Sequence, residues 1–280
     1  MFALNNFELY RNNLSSLYVD YKYRYALPFE KLDDPIQKTI SLQENWYQTI
    51  TLSIGYFFVI KLIQYFMKHR CAFKLYWPLF IWNLSLAFFS ICGFIRFSEN
   101  YLLPIDRIYR SLCYSVNPTD VAAYWAYLFF WSKVVELGDT LFIILKKKPL
   151  IFLHYYHHAS VLIYTAHSGA ENTGSGRAFI IMNFLVHSAM YTYFAITSYG
   201  IRLPKAISMM LTTIQIAQMF AGIGILAYIY KIKTETNLPC QQSMQNLFFG
   251  IMLYITFAVL FIHYFVSSYF RKSDKKVKNH

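Results

Sequence analysis

Three histidines, His154, His157 and His158, stand in the string HYYHH at i, i+3 and i+4, so a helix through them carries three imidazoles on one face. Two chemistries use such a cluster. Neutral imidazoles ligate metal ions, and imidazoles also serve as nucleophiles and as acid–base groups. A second cluster precedes it. Lys133, Glu136, Asp139 and Thr140, in KVVELGDT, are spaced three or four apart and share a helical face. Lys133 neutralises one acid, which leaves two like charges with one local counter-ion. Such a group either locks helix packing as a buried ion-pair cluster or lines a water-filled site. Asn183, His187, Met190 and Tyr191, with Tyr193 beside them, repeat the spacing, and so do Thr212, Gln215 and Gln218. Taken singly, glutamine and threonine are interhelical glue worth about 0.6 kcal/mol each.

The elements that carry these residues are apolar. The chain has 280 residues, 56% hydrophobic and 20% aromatic, and only 14% are charged. Soluble domains have about 25% charged residues. Ten glycines and eight prolines exclude a collagen-like or low-complexity chain, and the apolar content excludes disorder. A membrane crossing takes about 20 mainly apolar residues, and seven stretches qualify: 46–67, 75–94, 121–145, 150–167, 178–199, 206–230 and 247–270. The predicted class is an all-α integral membrane protein with seven transmembrane helices. Residues 1–45 form an N-terminal segment too polar for a secretory signal peptide, 46–270 the membrane domain, and 271–280 a basic tail. The fourth span is the least apolar because it carries four histidines.

Basic residues orient the spans. With the N-terminus lumenal, the cytosolic segments hold thirteen Lys/Arg against one acid, Asp274, and the lumenal loops hold six against five. The net charge of +12 then lies on one side. Topology and attraction to anionic lipid account for that charge; a sharper reading has Lys146, Lys147 and Lys148 hold a polyphosphate such as that of coenzyme A. No soluble basic domain is present to bind nucleic acid. Cys113 and Cys240 both fall in lumenal loops and are candidates for a disulfide, and Asn13 opens a glycosylation sequon on the lumenal tail.

Depth brings the polar faces together. At 1.5 Å per residue, Asp139 lies roughly 10 Å from the cytosolic lysines, Glu136 and His157 about 15 Å, and His187, Gln215 and Gln218 about 15–20 Å. Four helices therefore aim polar faces at one layer, which argues for one site reached from the cytosol. A membrane di-iron desaturase or hydroxylase shares the HxxHH box but needs more such boxes, and His69, His263 and His280 lie outside the layer. A single metal held by His154, His157 or His158 with an acid is a second reading, and a seven-span transporter or receptor with buried counter-ions a third.

KVVELGDT, HYYHH, NFLVHSAMYTYF and TTIQIAQ, in this order between Tyr124 and Gln218, resemble the signature set of the ELO family of very-long-chain fatty acid elongases. The chain departs from it at Phe194, where the family carries a second tyrosine. The resemblance implies a 3-ketoacyl-CoA synthase of the endoplasmic reticulum that condenses an acyl-CoA with malonyl-CoA, releasing CO2 and CoA, with no redox cofactor and no metal. It implies six spans forming an inverted barrel around an acyl tunnel, the first span standing apart. An imidazole is both acyl acceptor and leaving group, which suits an acyl-histidine route; direct condensation, with histidine as base, is the alternative. His157 is the expected acceptor, ahead of His158, with His187 positioning the second substrate. His154, His158 and Asn183 orient the imidazoles or stabilise the enolate. Glu136, Asp139, Lys133, Thr140 and Tyr191 support the site, while Gln215 and Gln218 bind thioester or pantetheine. HYYHH in its context is most like the branch that handles saturated and monounsaturated chains. Expected partners are the ketoreductase, dehydratase and enoyl reductase of the cycle, and a second copy in a homodimer. Lys276 and Lys278 resemble a dilysine retrieval signal on a cytosolic C-terminus.

Overall fold

The computed structural model describes Tyr18, Tyr23 and residues 26–101 and 108–270. The sequon at Asn13 and the retrieval signal at Lys276 and Lys278 lie outside the described residues. A 3₁₀ turn, Pro28–Glu30, leads into α1 (Pro35–Asn45), α2 (Gln48–Met67), α3 (Tyr76–Tyr101), α4 (Ile108–Cys113), α5 (Val121–Glu136) and α6 (Asp139–Leu145). Then come α7 (Phe152–Glu171), α8 (Gly176–Ser198), α9 (Lys205–Glu235) and α10 (Met244–Tyr269). The described residues contain no strand; one isolated bridge pairs Tyr18 with Ser115.

Five helices, α2, α3, α8, α9 and α10, are long and apolar enough to cross a membrane. Their outer faces expose large apolar side chains, such as Phe58, Leu62 and Phe66 on α2 and Met252, Val259 and Val266 on α10. In water such a surface would aggregate; against hydrocarbon it is ordinary. The chain is a multi-pass membrane protein.

The third predicted span, 121–145, is not one helix. It divides at Leu137–Gly138, where Gly138 N–H donates to the Val135 carbonyl at 2.9 Å and Leu141 N–H to the Gly138 carbonyl at 3.0 Å. These i→i−3 bonds tighten the turn, as in 3₁₀ geometry. Gly138 has a steric reason: a Cβ there would meet the Trp82 ring at 2.8 Å.

α3 packs on α8 and α5, α8 on α9, α9 on α10, α10 on α7, and α7 on α5. α2 lies against α6 and α7, with Tyr56, Ile60 and Met67 packed on Ile144. α1 starts at Pro35, whose fixed φ suits a first helical position, and rests on α7 through Leu42, Trp46, Ala166 and Ala170.

At the end of the bundle remote from Lys146–Lys148 the loops are tied together. Cys113 and Cys240 form a disulfide, closing a separation of 127 residues. Gln241 N–H donates to the Cys113 carbonyl at 3.0 Å and Gly174 N–H to the Gln241 carbonyl at 2.8 Å. Only glycine fits at 174, since a Cβ would lie 2.5 Å from the Cys113 carbonyl carbon. α10 is capped by Ser243, which accepts from Asn246 N–H at 3.1 Å and donates its hydroxyl to Glu171 at 2.9 Å.

Candidate active site

The tight turn at Leu137–Gly138 sorts the polar residues of α5 and α6 into two sets. Lys133, buried at 3% exposure, belongs to the first with Glu136, the last residue of α5. Its Nζ donates to Glu136 Oε1 and Oε2 at 2.8 and 3.1 Å and to Asn183 Oδ1 at 2.8 Å. It also lies 4.4 Å over the Phe129 ring. Ser132 donates to the Glu136 carboxylate at 3.2 Å, and His187 Nδ1 is 3.6 Å from it. Moving an ion out of water costs several kcal/mol, offset only where each charge is paired and hydrogen-bonded. Both conditions hold here.

Beyond the turn, Asp139 accepts from Trp82 Nε1 at 2.6 Å and Tyr191 OH at 2.7 Å, and His158 Nε2 lies 4.0 Å from it. Thr140 Oγ1 is 2.5 Å from the Tyr56 hydroxyl and 3.0 Å from His154 Nε2. The four residues expected on one uninterrupted face therefore serve different partners. Lys133 and Glu136 organise Asn183 and His187 on α8; Asp139 and Thr140 face His158 and His154 on α7.

His157 differs from its neighbours. No hydrogen bond to a described residue engages it; its ring packs against Phe257 and Phe261, with centroids at 4.9 and 6.1 Å, and stands edge-on to His158 at 5.6 Å. His154 and His158 lie 4.4 Å apart, centroid to centroid. Among the described residues no three His, Cys, Asp or Glu side chains group as metal ligands.

Two cavities meet at this layer. One, about 720 Å³, is lined by Asp139, the three α7 histidines, His187, Tyr191 and Gln215, and by Lys146 and Lys148 toward the lysine end. The other, about 680 Å³, runs past Phe129, Tyr164, Phe179, Tyr254 and Phe257 toward the disulfide end. His157, Asn183, Gln218 and Met219 line both. Gln215 Nε2 donates to Met190 Sδ at 3.3 Å. Phe194, at the motif departure, lines the first cavity beside Tyr193.

Lys147 is not brought into this group. It holds a left-handed backbone, φ 52°, and its Nζ donates to the Lys68 and Arg70 carbonyls at 3.2 and 2.9 Å. It ties down the turn after α2, while Lys146 and Lys148 face the cavity. Tyr56, Trp82 and Ser132 join the site without having been read from the sequence. Ser132 had a signal, one residue before Lys133; Tyr56 and Trp82 sit in strings indistinguishable from other span sequence.

The model of the ELO (GNS1/SUR4) family matches residues 41–277. The chain belongs to the ELO family. A Caenorhabditis elegans relative, provisionally named fatty acid elongase 4, is 54% identical over 278 residues, covering 99% of this chain and 96% of its own. Human very long chain fatty acid elongase 3 is 38% identical over 239 residues, 83% of this chain and 87% of its own. Mouse very long chain fatty acid elongase 6 is 37% identical over 253 residues, 89% and 95% respectively. All the ELO motif residues, from Lys133 to Gln218, fall inside the matched range.

Proposed function

We propose that this ELO-family protein is a fatty acid elongase, the condensing acyltransferase that joins malonyl-CoA to a long-chain acyl-CoA and yields 3-ketoacyl-CoA, CO2 and CoA. The observation that carries the site assignment is the junction at His157, Asn183 and Gln218, which line both the cavity that holds the histidines, Asp139, Lys146 and Lys148 and the one that runs past Phe129, Phe179 and Phe257. CoA occupies the first, with Lys146 and Lys148 at its phosphates; the acyl chain occupies the second. The thioester then lies at the histidines.

The imidazole of His157 attacks the thioester carbonyl, the C–S bond breaks, and CoA leaves with a proton. Malonyl-CoA next loses CO2; its enolate carbon attacks the acyl-imidazole carbonyl, a C–C bond forms, the C–N bond to His157 breaks, and the released imidazole takes up one proton from water, replacing the one that left with CoA. His187, held by Glu136, positions the second substrate. No redox cofactor and no metal enters these steps.

The contact order α3–α8–α9–α10–α7–α5–α3 supports a six-helix barrel around the two cavities, with α5–α6 and α7 as the remaining spans of a seven-span chain. The charge asymmetry supports a lumenal N-terminus and a cytosolic C-terminus, and membership of the ELO family supports the endoplasmic reticulum as the membrane. Reduction and dehydration of the product then fall to separate ketoreductase, dehydratase and enoyl reductase partners, and a homodimer is part of this reading.

The test is purified protein with an acyl-CoA panel and labelled malonyl-CoA, without NADPH, with intact-protein mass spectrometry on the sample given acyl-CoA alone. Labelled 3-ketoacyl-CoA is expected, with an acyl adduct that His157→Ala lacks. Product with no adduct at any quench time would replace the acyl-histidine route by direct condensation. No product from any acyl-CoA would remove the elongase reading.

A further inference from the structure

We propose that Tyr56, on α2, is a positioning residue for catalysis: through Thr140 it holds His154 in the tautomer whose Nε2 accepts a hydrogen bond and whose Nδ1 carries a proton for a substrate oxygen. This rests on the condensing reading given above.

Tyr56 is 8% exposed and Thr140 fully buried. Their hydroxyls are 2.5 Å apart, and the phenol has no other polar partner among the described residues. Buried donors are almost always satisfied, so the Tyr56 O–H donates to Thr140 Oγ1. Thr140 has one hydroxyl proton of its own, and its other neighbour is His154 Nε2 at 3.0 Å. That proton goes to Nε2. A nitrogen that accepts is unprotonated, so neutral His154 carries its proton on Nδ1. The reverse order, with Thr140 donating to the phenol, would leave the phenol proton buried without an acceptor. The chain therefore has one direction.

His154 lines the cavity assigned to the thioester, and no described residue hydrogen-bonds its Nδ1. A fixed N–H donor there meets the negative charge that develops on the thioester oxygen during acylation and again on the acyl oxygen during condensation. No proton needs to leave the chain for this, and no bond to the relay is made or broken. Where a triad depends on its carboxylate for the imidazole tautomer, loss of that control costs about 10⁴ in kcat. A neutral hydroxyl relay holds the ring less firmly.

α2 is fixed in place for this task. Ile60 and Met67 pack on Ile144, and Ser53 Oγ donates to the Ala159 carbonyl of α7 at 3.4 Å. The helix thus couples to the reacting histidines by a two-hydroxyl chain, though it contributes no residue to the cavity that His154 lines.

The full chain, purified and active, is assayed for 3-ketoacyl-CoA formation as the unaltered protein, Tyr56→Phe, Thr140→Val, Thr140→Ser and the double variant Tyr56→Phe/Thr140→Val. Tyr56→Phe is expected to lower kcat about 10-fold with KM for acyl-CoA within about twofold, the pattern of an interaction made in the transition state. The double variant should turn over no more slowly than Thr140→Val alone, because both substitutions break one chain. Thr140→Ser, which keeps the hydroxyl, should recover most of what Thr140→Val loses. Wild-type kcat in Tyr56→Phe, or a double variant whose loss is the product of the single losses, would overturn the relay. If Tyr56→Phe does not fold, equal kcat for Thr140→Val and Thr140→Ser overturns it. Failure of the unaltered protein to condense is a separate result and counts against the elongase reading instead.

Discussion

Glu136 has three polar neighbours that depend on its charge: Lys133, His187 and Ser132. Glu136→Gln keeps the shape and removes the counter-ion, which leaves the Lys133 ammonium buried with the Asn183 carbonyl oxygen as its main partner. Breaking a buried pair from one side costs about 3–5 kcal/mol, whereas replacing both partners by apolar groups is often neutral. Thermal unfolding in detergent should therefore show Glu136→Gln well below the unaltered protein and Lys133→Met/Glu136→Leu close to it, with both inactive. A Glu136→Gln protein that melts with the unaltered one would mean that Lys133 is not charged in the folded state. These two residues were legible in the sequence because ionisable side chains are expensive inside a span. Tyr56 and Trp82 were not. With 25 tyrosines and 5 tryptophans in the chain, an aromatic in an apolar run carries no mark of a hydrogen bond made to a residue 57 or 84 positions away.

At the scale of elements, the break between α5 and α6 decides which histidines each acid meets. Glycine at 138 permits it by admitting the Trp82 ring, which then donates to Asp139. Gly138→Ala places a methyl 2.8 Å from that ring. The ring must move, and the Asp139 bond lengthens or breaks; overpacking of this kind costs about 1–3 kcal/mol. Gly55→Ala is the matched control, since nothing lies within 4 Å of its Cβ position. It should hold or raise stability, because alanine is favoured over glycine in a helix by up to about 1 kcal/mol. Comparison of the two unfolding temperatures, with indole fluorescence reporting Trp82, checks the pair; equal behaviour would dissociate Gly138 from the turn. Six of the seven stretches predicted as spans each hold one long helix, with ends displaced, as in α9, which runs Lys205–Glu235 where 206–230 was expected; the third holds two. The interruption at Gly138 escaped because one glycine in an apolar helical pattern reads as a small propensity cost, and its cause lies on another helix.

For the molecule as a whole, two fasteners hold the end opposite the lysines. The Cys113–Cys240 disulfide joins the last residue of α4 to the loop before α10. Glu30 does the same for the N-terminal segment. Its carboxylate is 1% exposed and receives Arg96 Nε and Nη2 at 2.7 and 2.6 Å, Trp125 Nε1 at 2.8 Å and Leu27 N–H at 2.9 Å. The turn is thereby clamped to α3 and α5, and α1 follows on to cover α7, where Gln43 Nε2 donates to the Ala170 carbonyl at 2.9 Å. Burial pushes the Glu30 carboxyl up, but the bonds from Arg96, Trp125 and Leu27 outweigh it and hold the pKa below the usual carboxylate value of 4.5. A pKa lower in the folded state than in the unfolded one adds stability that is complete above the unfolded value and is lost as pH falls through the folded one. The unfolding temperature of the unaltered protein should thus exceed that of Glu30→Gln by a constant margin from neutral pH down to about 5, then converge on it below about 4.5. The glutamine variant is the proper reference, because every other titrating group is common to both proteins. A margin that persists unchanged in acid would show that Glu30 holds the segment by packing and neutral hydrogen bonds, and that its charge contributes nothing to the clamp.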